Sequence, residues 1–253
     1  MPEGDAVILT AKRLRPALAG KTLTRSDFRV PRYATLDLRG QRVESVGTYG
    51  KHLFIRTAEV SIHTHLKMEG SWRVYAPGQR WTKPGFTARV VLATDDAEAV
   101  GFSLGTVEVL RVGDEHAVTD RLGPDLLASD WDAEEAVRRL EREPAIPIGV
   151  ALLDQTKLAG IGNIYRSEVC FLRRVHPATP VGRIADLPGL VDEAQRVLTR
   201  AAHEPPWRAL VYGKQHRPCP RCGTNLVVRM LGDGVKEERG IYFCPRCQPT
   251  PVV

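Results

Sequence analysis

Short apolar runs with turn residues between them dominate the first 118 positions. The stretches HLFIRT (52–57), SWRVYA (71–76) and RVVLAT (89–94) are rich in β-branched and aromatic residues and are separated by Gly, Pro and Asp. That pattern predicts strands joined by turns. One segment differs: in DAVILTAKRLRPALAG (5–20), Val7, Leu14 and Leu18 recur at helical intervals and Gly20 is a stop signal. A helix followed by a run of strands predicts a β-sandwich.

The period changes after LGPDLL (122–127). SDWDAEEAVRRLERE (129–143) reads as a helix with Ser129 as its cap, acids in the first turn, Arg later, and Pro144 and Pro147 beyond its end. IGVALLDQTKLAG (148–160) and NIYRSEVCFLRRV (163–175) read as two more helical segments joined through GIG, and LPGLVDEAQRVLTRAAHE (187–204) as a fourth, closed by Pro205 and Pro206. The chain is therefore expected to be multidomain α+β: a β-sandwich over residues 1–118, a helical domain over 119–205 and a small cysteine-bearing domain over 206–253.

The 253 residues carry 36 Lys and Arg against 30 Asp and Glu, a formal net charge of +6. From Pro206 to the C-terminus, eight basic residues face three acids. This suits a polyanionic partner without identifying one. No apolar run approaches the ~20 residues of a membrane span, and the start lacks the basic and apolar regions of a signal peptide. A cytoplasmic protein, nucleoid-associated if its partner is DNA, is the expectation.

Four of the five cysteines form two CPRC motifs, Cys219 with Cys222 and Cys244 with Cys247, on either side of a hairpin-like NLVVRM…GIYFC. Two such pairs are a strong signal for one structural Zn²⁺ held by four thiolates. Paired disulfides or a redox dithiol fit poorly, since nothing suggests secretion. Four protein ligands leave no open position, so this metal is not expected to catalyse. Cys170, in SEVCF, reads as a small buried hydrophobe. In GIGN (160–163), glycines let the backbone approach another chain and expose N–H groups at a helix start, a ready phosphate site. The same four residues could equally be a tight turn capped by Asn163.

MPEG, GKHL (50–53), HLKMEGSWRV (65–74), LGPDLL, DQTKLAGIGNIYRSE (154–168), VYGK and RGIYFCPRCQ (239–248) occur in that order. Together they closely resemble the formamidopyrimidine-DNA glycosylase/endonuclease VIII family of base-excision repair enzymes, over almost the whole chain. The resemblance implies a β-sandwich, a helix-two-turn-helix domain and a C-terminal zinc finger. It also implies that Pro2, freed of Met1, is a Schiff-base nucleophile and that Glu3 is the general acid. A secondary α-amine, titrating near ~8, keeps a usable unprotonated fraction at neutral pH. Its iminium stays cationic and serves as an electron sink. Lys51 and Arg239 are implied to neutralise phosphate and support elimination. Asn163, Lys157 and His65 are implied DNA contacts, and Met68 the wedge that fills the gap left by an extruded nucleotide. A core role is the rival reading of Met68.

Two departures narrow the expectation. Family members commonly begin P-E-x-P-E, whereas PEGDAV places Asp5 and Ala6 at the last two positions. Oxidised-purine members carry an Arg–Phe pair that reads the opposite base; the matching stretch here, FSLGTVEVL (102–110), has none. The expectation is a bifunctional glycosylase/AP lyase acting mainly on oxidised pyrimidines through β,δ-elimination. Its partner is expected to be damaged duplex, bubble or single-stranded DNA, and the chain to be monomeric. The rivals are an oxidised-guanine enzyme and a catalytically silent zinc protein that binds DNA. The gap between the cysteine pairs is longer than in compact members, so the LGDGVKEERG tip (231–240) is expected to differ in shape.

Overall fold

A computed structural model describes residues 2–204, 206–232 and 238–250; the middle of the LGDGVKEERG tip, residues 233–237, lies outside the described residues. The chain divides into two compact units, Met1–Asp120 and Arg121–Val253.

The first unit begins with helix α1 (Gly4–Leu18), which ends two residues before Gly20. Eight strands follow: β1 (Arg25–Phe28), β2 (Val43–Tyr49), β3 (His52–Thr57), β4 (Val60–His65), β5 (Ser71–Tyr75), β6 (Ala88–Ala93), β7 (Glu98–Phe102) and β8 (Thr106–Arg111); the short helix α2 (His116–Thr119) comes last. The strands form two antiparallel sheets of order β1-β6-β7-β5 and β2-β3-β4-β8. Alternate residues of both sheets face one another, Val90, Leu92 and Ala99 from the first and Leu53, Ile55 and Ile62 from the second. Helix α1 adds Val7, Leu14 and Leu18 to the same core, so the helical stripe and the strand alternation in the sequence bury one surface.

The second unit contains α3 (Ala133–Glu141), α4 (Ile148–Ala151), α5 (Asn163–Leu172), α6 (Leu187–His203) and a hairpin of β9 (Val227–Leu231) and β10 (Arg239–Phe243). Two expectations change here. The cap of α3 is Asp132, not Ser129: Asp132 is extended (φ −111°, ψ 96°) and its carboxylate accepts from Glu135 N–H at 2.8 Å. Residues 148–160 are not one helix either. After Ala151 the Asp154 carboxylate accepts from both N–H and hydroxyl of Thr156, a turn that competes with continued helix. Leu140, Leu152, Leu158, Tyr165, Val169, Leu190 and Leu198 build the helical core.

A two-stranded hairpin is marginal by itself, and the second unit holds this one from several sides. Glu168 of α5, completely buried, accepts from the N–H groups of Leu210 (2.6 Å), Val211 (2.9 Å) and Tyr212 (2.9 Å). Gln248, also sealed, accepts from Cys244 N–H and donates to Val175 O. Glu168→Ala would leave the three backbone donors without their acceptor. It is expected to destabilise the protein by about 3 kcal/mol or more, read from denaturant unfolding followed by tryptophan fluorescence.

Candidate active site and nucleic-acid interface

Glu3 is the N-cap residue of α1, with extended backbone (φ −112°, ψ −172°), and its carbonyl accepts from Val7 N–H. Only 1% of Glu3 is exposed, whereas Pro2 before it is half-buried. The positive end of the α1 dipole favours a carboxylate there and disfavours an ammonium. An amine at Pro2 would thus be biased toward its nucleophilic form.

Two turns lie at one end of the second sheet. Gly50 and Lys51 form a two-residue hairpin loop between paired Tyr49 and His52, and Gly50 takes φ +55°, which a side chain would oppose. His52 in turn pairs with His65, where β4 ends and the second turn begins. That turn carries Met68, 67% exposed, which removes the core reading of this residue. It is a tight loop: Gly70 N–H donates to Leu66 O at 2.9 Å, and a Cβ on Gly105 would overlap the Lys67 side chain. Lys67 itself sits at φ +53°, and its N–H donates to His65 Nδ1 at 2.9 Å. Burial first, then the charges of Lys67 and Lys51, holds His65 down at about 4. His65 is therefore a neutral imidazole with its proton on Nε2, a hydrogen-bond donor and not a cation.

The stretch where an opposite-base reader was sought is the end of β7, a connection of Ser103, Leu104 and Gly105, and β8. It contains no loop long enough to present such a reader.

In the second unit the hinge differs from expectation in one respect. Gly162 occupies the cap position of α5, and Asn163 is the first helical residue. The Asn163 amide turns toward the hairpin: Nδ2 donates to Gly240 O at 3.0 Å, and Oδ1 accepts from Arg166 Nε at 2.8 Å. Arg166 is completely buried, and its other nitrogens donate to Gly149 O (2.7 Å) and Arg239 O (3.1 Å). One guanidinium thus joins Asn163 to the backbone of Arg239, whose residue is exposed at the start of β10. Lys157 departs from expectation: only 5% of its side chain is exposed, and it is ion-paired with Glu143. Its charge is neutralised inside the fold, not presented to a phosphate. Arg166 and Glu168 escaped sequence reading. The only signal was a pair of opposite charges two positions apart within the helix NIYRSEVCFL.

The four sulfurs of Cys219, Cys222, Cys244 and Cys247 lie within 4.8 Å of one another. Cys219 and Cys247 are 3.9 Å apart and Cys222 and Cys244 3.5 Å, against an edge of about 3.8 Å for a tetrahedron with Zn–S bonds of 2.3 Å. Arg221 N–H and Cys247 N–H each point at a sulfur, 3.4 Å away, which suits thiolate charge. The cluster can hold a metal ion. Cys170 lies sealed in the helical core, and burial pushes its thiol up to about 12, so it is inert.

The chain matches the family model of the formamidopyrimidine-DNA glycosylase N-terminal domain over residues 1–104 and that of the formamidopyrimidine-DNA glycosylase H2TH domain over 122–204. It is 48% identical over 263 residues to a probable endonuclease 8 2 of Streptomyces coelicolor, covering 99% of this chain and 95% of that one. It is 45% identical over 258 residues to the DNA-(apurinic or apyrimidinic site) lyase Nei2 of Mycolicibacterium smegmatis, covering 98% and 99%. Among solved structures, it resembles Lactococcus lactis formamidopyrimidine-DNA glycosylase bound non-covalently to DNA containing an AP site, with a TM-score of 0.84 and 23% identity over 98% of this chain and all of that one.

The lowered pKa of His65 makes a prediction with a definite sign. A folded value of about 4 against an ordinary value of 6.5 means the unfolded chain binds the proton more readily. Stability contributed by this residue is present above pH 6.5 and declines as pH falls from there toward 4. In a nitrogen-detected NMR titration His65 should titrate near 4, and His65→Gln should flatten the stability profile across that window.

Proposed function

We propose a function on the premise that this chain belongs to the formamidopyrimidine-DNA glycosylase family. The relatives named endonuclease 8 and AP lyase match it nearly end to end. The protein is a DNA glycosylase and AP lyase of base-excision repair, of the endonuclease 8 kind. The observation that carries a mechanism is the pairing at the start of α1 of a half-buried Pro2 with a sealed Glu3. With Met1 removed, the Pro2 amine attacks C1′ of the damaged nucleotide. Glu3, beside it in the chain, moves the proton at the sugar ring as the base departs. The resulting iminium withdraws electrons from C2′ and permits strand cleavage by β- and then δ-elimination.

Lys51, on its glycine turn, and Arg239, at the start of β10, supply positive charge to the DNA backbone. Asn163 faces the strand bearing Arg239 and acts with it. Met68 is a flexible apolar tip, suited to enter the stack when a nucleotide is extruded. His65 supports that tip through the Lys67 N–H. The short β7–β8 connection supports a preference for oxidised pyrimidines: without a reader of the opposite base, little selects cytosine across from an oxidised purine. Lost aromaticity already loosens the pyrimidine lesions in the stack. The same lack of reading admits bubble and single-stranded DNA. The protein acts as a monomer in three segments, 1–118, 119–205 and 206–253, in the cytoplasm beside the chromosome.

The test is single-turnover excision on matched oligonucleotides, with borohydride trapping. Dihydrouracil or thymine glycol should be removed faster than 8-oxoguanine paired with cytosine, and Pro2→Gly should reduce the trapped adduct at least tenfold, about 1.4 kcal/mol. Faster excision of 8-oxoguanine would overturn the substrate preference alone. Equal trapping with a blocked N-terminus would move the nucleophile elsewhere.

The four cysteines would hold one Zn²⁺, which closes the finger and does no chemistry. Elemental analysis should find one zinc per chain. Its removal by a chelator should lower thermal stability and weaken DNA binding, since metal binding in such sites is folding free energy.

A further inference from the structure

The outer face of the first sheet is covered by a loop that the reading above does not use. Tyr75, Val91, Val100 and Phe102 form a small apolar cluster there, and Trp81, from residues 76–87 between β5 and β6, packs against it. The Trp81 ring meets that of Phe102 edge-on at 5.7 Å, and its Nε1–H donates to Glu98 at 2.5 Å. Further bonds hold the loop along its length. Thr82 N–H donates to Tyr75 Oη (3.2 Å), Lys83 Nζ to Ser71 Oγ (2.8 Å) and Arg29 Nη1 to Gly85 O (3.1 Å). One 3₁₀ turn, Gly85–Thr87, then leads into β6.

On that turn Phe86 is 84% exposed, more than Met68 at 67%. A single apolar residue at the surface is ordinary, but two observations set this one apart. The first is charge. Residues 76–87 contain Arg80 and Lys83 and no acid, Arg80 and Lys83 line one cleft with Gly85, and Arg89 is exposed three positions beyond Phe86. Asp27 and Glu98, acids of the same face, are taken up by Arg25, Arg29 and Trp81. The second is position. Ser71, three residues after Met68, and Ala88, two after Phe86, pair with Phe102 from its two sides, so they lie about 10 Å apart across the sheet. Thr87 O also accepts from Ser103 N–H at 2.8 Å, and Gly105, two residues on, packs against the Lys67 side chain. Phe86 therefore stands at the same end of the sandwich as the Met68 turn, with the short β7–β8 connection between them.

We propose that Phe86 is a stacking platform for an unpaired DNA base, with Arg80 and Arg89 neutralising the phosphates on either side of that base. A ring so exposed offers its face to any base, since every base has a π-face, and cations around it suit the backbone that joins the bases. A protein partner would call for a wider apolar patch than one ring set among charges. The bonds that fix the loop hold the ring out before DNA arrives, so little ordering is needed on binding. Phenylalanine has no hydrogen-bonding group, so the platform adds affinity without choosing a base. The inference rests on the DNA-directed reading above and deepens it: bubbles and single strands are not merely admitted but held, by a side chain from the β5–β6 loop.

The experiment measures Kd by fluorescence anisotropy for labelled oligonucleotides that carry an uncleavable abasic analogue, as a single strand, in a bubble and in a full duplex, across a range of salt. F86A should weaken single-strand and bubble binding at least about fivefold, the loss of one stacked base, and leave duplex binding unchanged. F86W should keep wild-type affinity. F86L should bind as weakly as F86A, because leucine keeps apolar bulk without a ring face. The salt slope on the single strand should be unchanged in F86A and shallower by about 0.7 for each of R80Q and R89Q. Thermal unfolding of the Phe86 variants should match wild type, since the ring lies outside the core. Wild-type single-strand affinity in F86A would overturn the platform, as would wild-type affinity in F86L or equal losses on all three probes. Failure of the wild type to bind any probe would refute the DNA-directed reading itself; a wild type that binds beside an unaffected F86A removes the platform alone.

Discussion

The guanidinium of Arg166 is sealed inside the second unit, and the arrangement around it follows from the need to satisfy a buried cation. Its nitrogens reach Asn163 Oδ1 on the same helix, Gly149 O on α4 and Arg239 O on β10. A buried charge that loses a partner costs several kcal/mol, so these elements cannot shift independently. The Asn163 amide, held by Arg166 on one side, donates to Gly240 O on the other. The hinge asparagine and the finger arginine therefore belong to one constraint. Lysine at position 166 could not reproduce it, because a point charge lacks the fork that spans three acceptors.

The same unit solves a problem of size. A hairpin of two five-residue strands buries too little to stand alone. The apolar cluster beside it is small: Phe171, Val211, Leu226 and the cysteines, with Leu210 and Tyr242 packed against them. Polar ties complete the support. Arg221 donates to Phe171 O and Leu172 O at the end of α5 while its guanidinium stacks on the Phe171 ring at 4.3 Å. A metal-binding cluster is the usual further brace for so small a core.

In the first unit the two faces of one sheet have different chemistry. Leu53, Ile55 and Ile62 point into the sandwich, while His52, Phe54, Arg56, Ser61 and His63 occupy the opposite face. Strand period alone sorts these residues, since successive side chains alternate sides. Their mutual hydrogen bonds require register, which pairing across three strands sets. The glycine turn that carries Lys51 and the loop that carries Met68 emerge at the same end because β3 and β4 are paired antiparallel there.

The sandwich strands, helix α1, the long helix α6 and the finger hairpin were legible from residue patterns, because each buries a periodic apolar stripe or is bounded by Gly and Pro. So were the two C-x-x-C motifs, whose spacing is local to the chain, whereas Pro2, Glu3 and Lys51 stood out only through the family resemblance that MPEG and GKHL carry. The sequence by itself determined those features. Tertiary structure alone decided which charges would be hidden. Lys157 meets Glu143 fourteen positions away, Glu168 meets Val211 at forty-three, and Arg166 meets Arg239 at seventy-three. A lone charge in a helix reads as solvated unless its partner is known, and no local period encodes a partner on another element. The same reason governs Asn163, which looked like a cap: its amide turned instead to a strand seventy-seven residues away, because only the folded chain brings that carbonyl within reach.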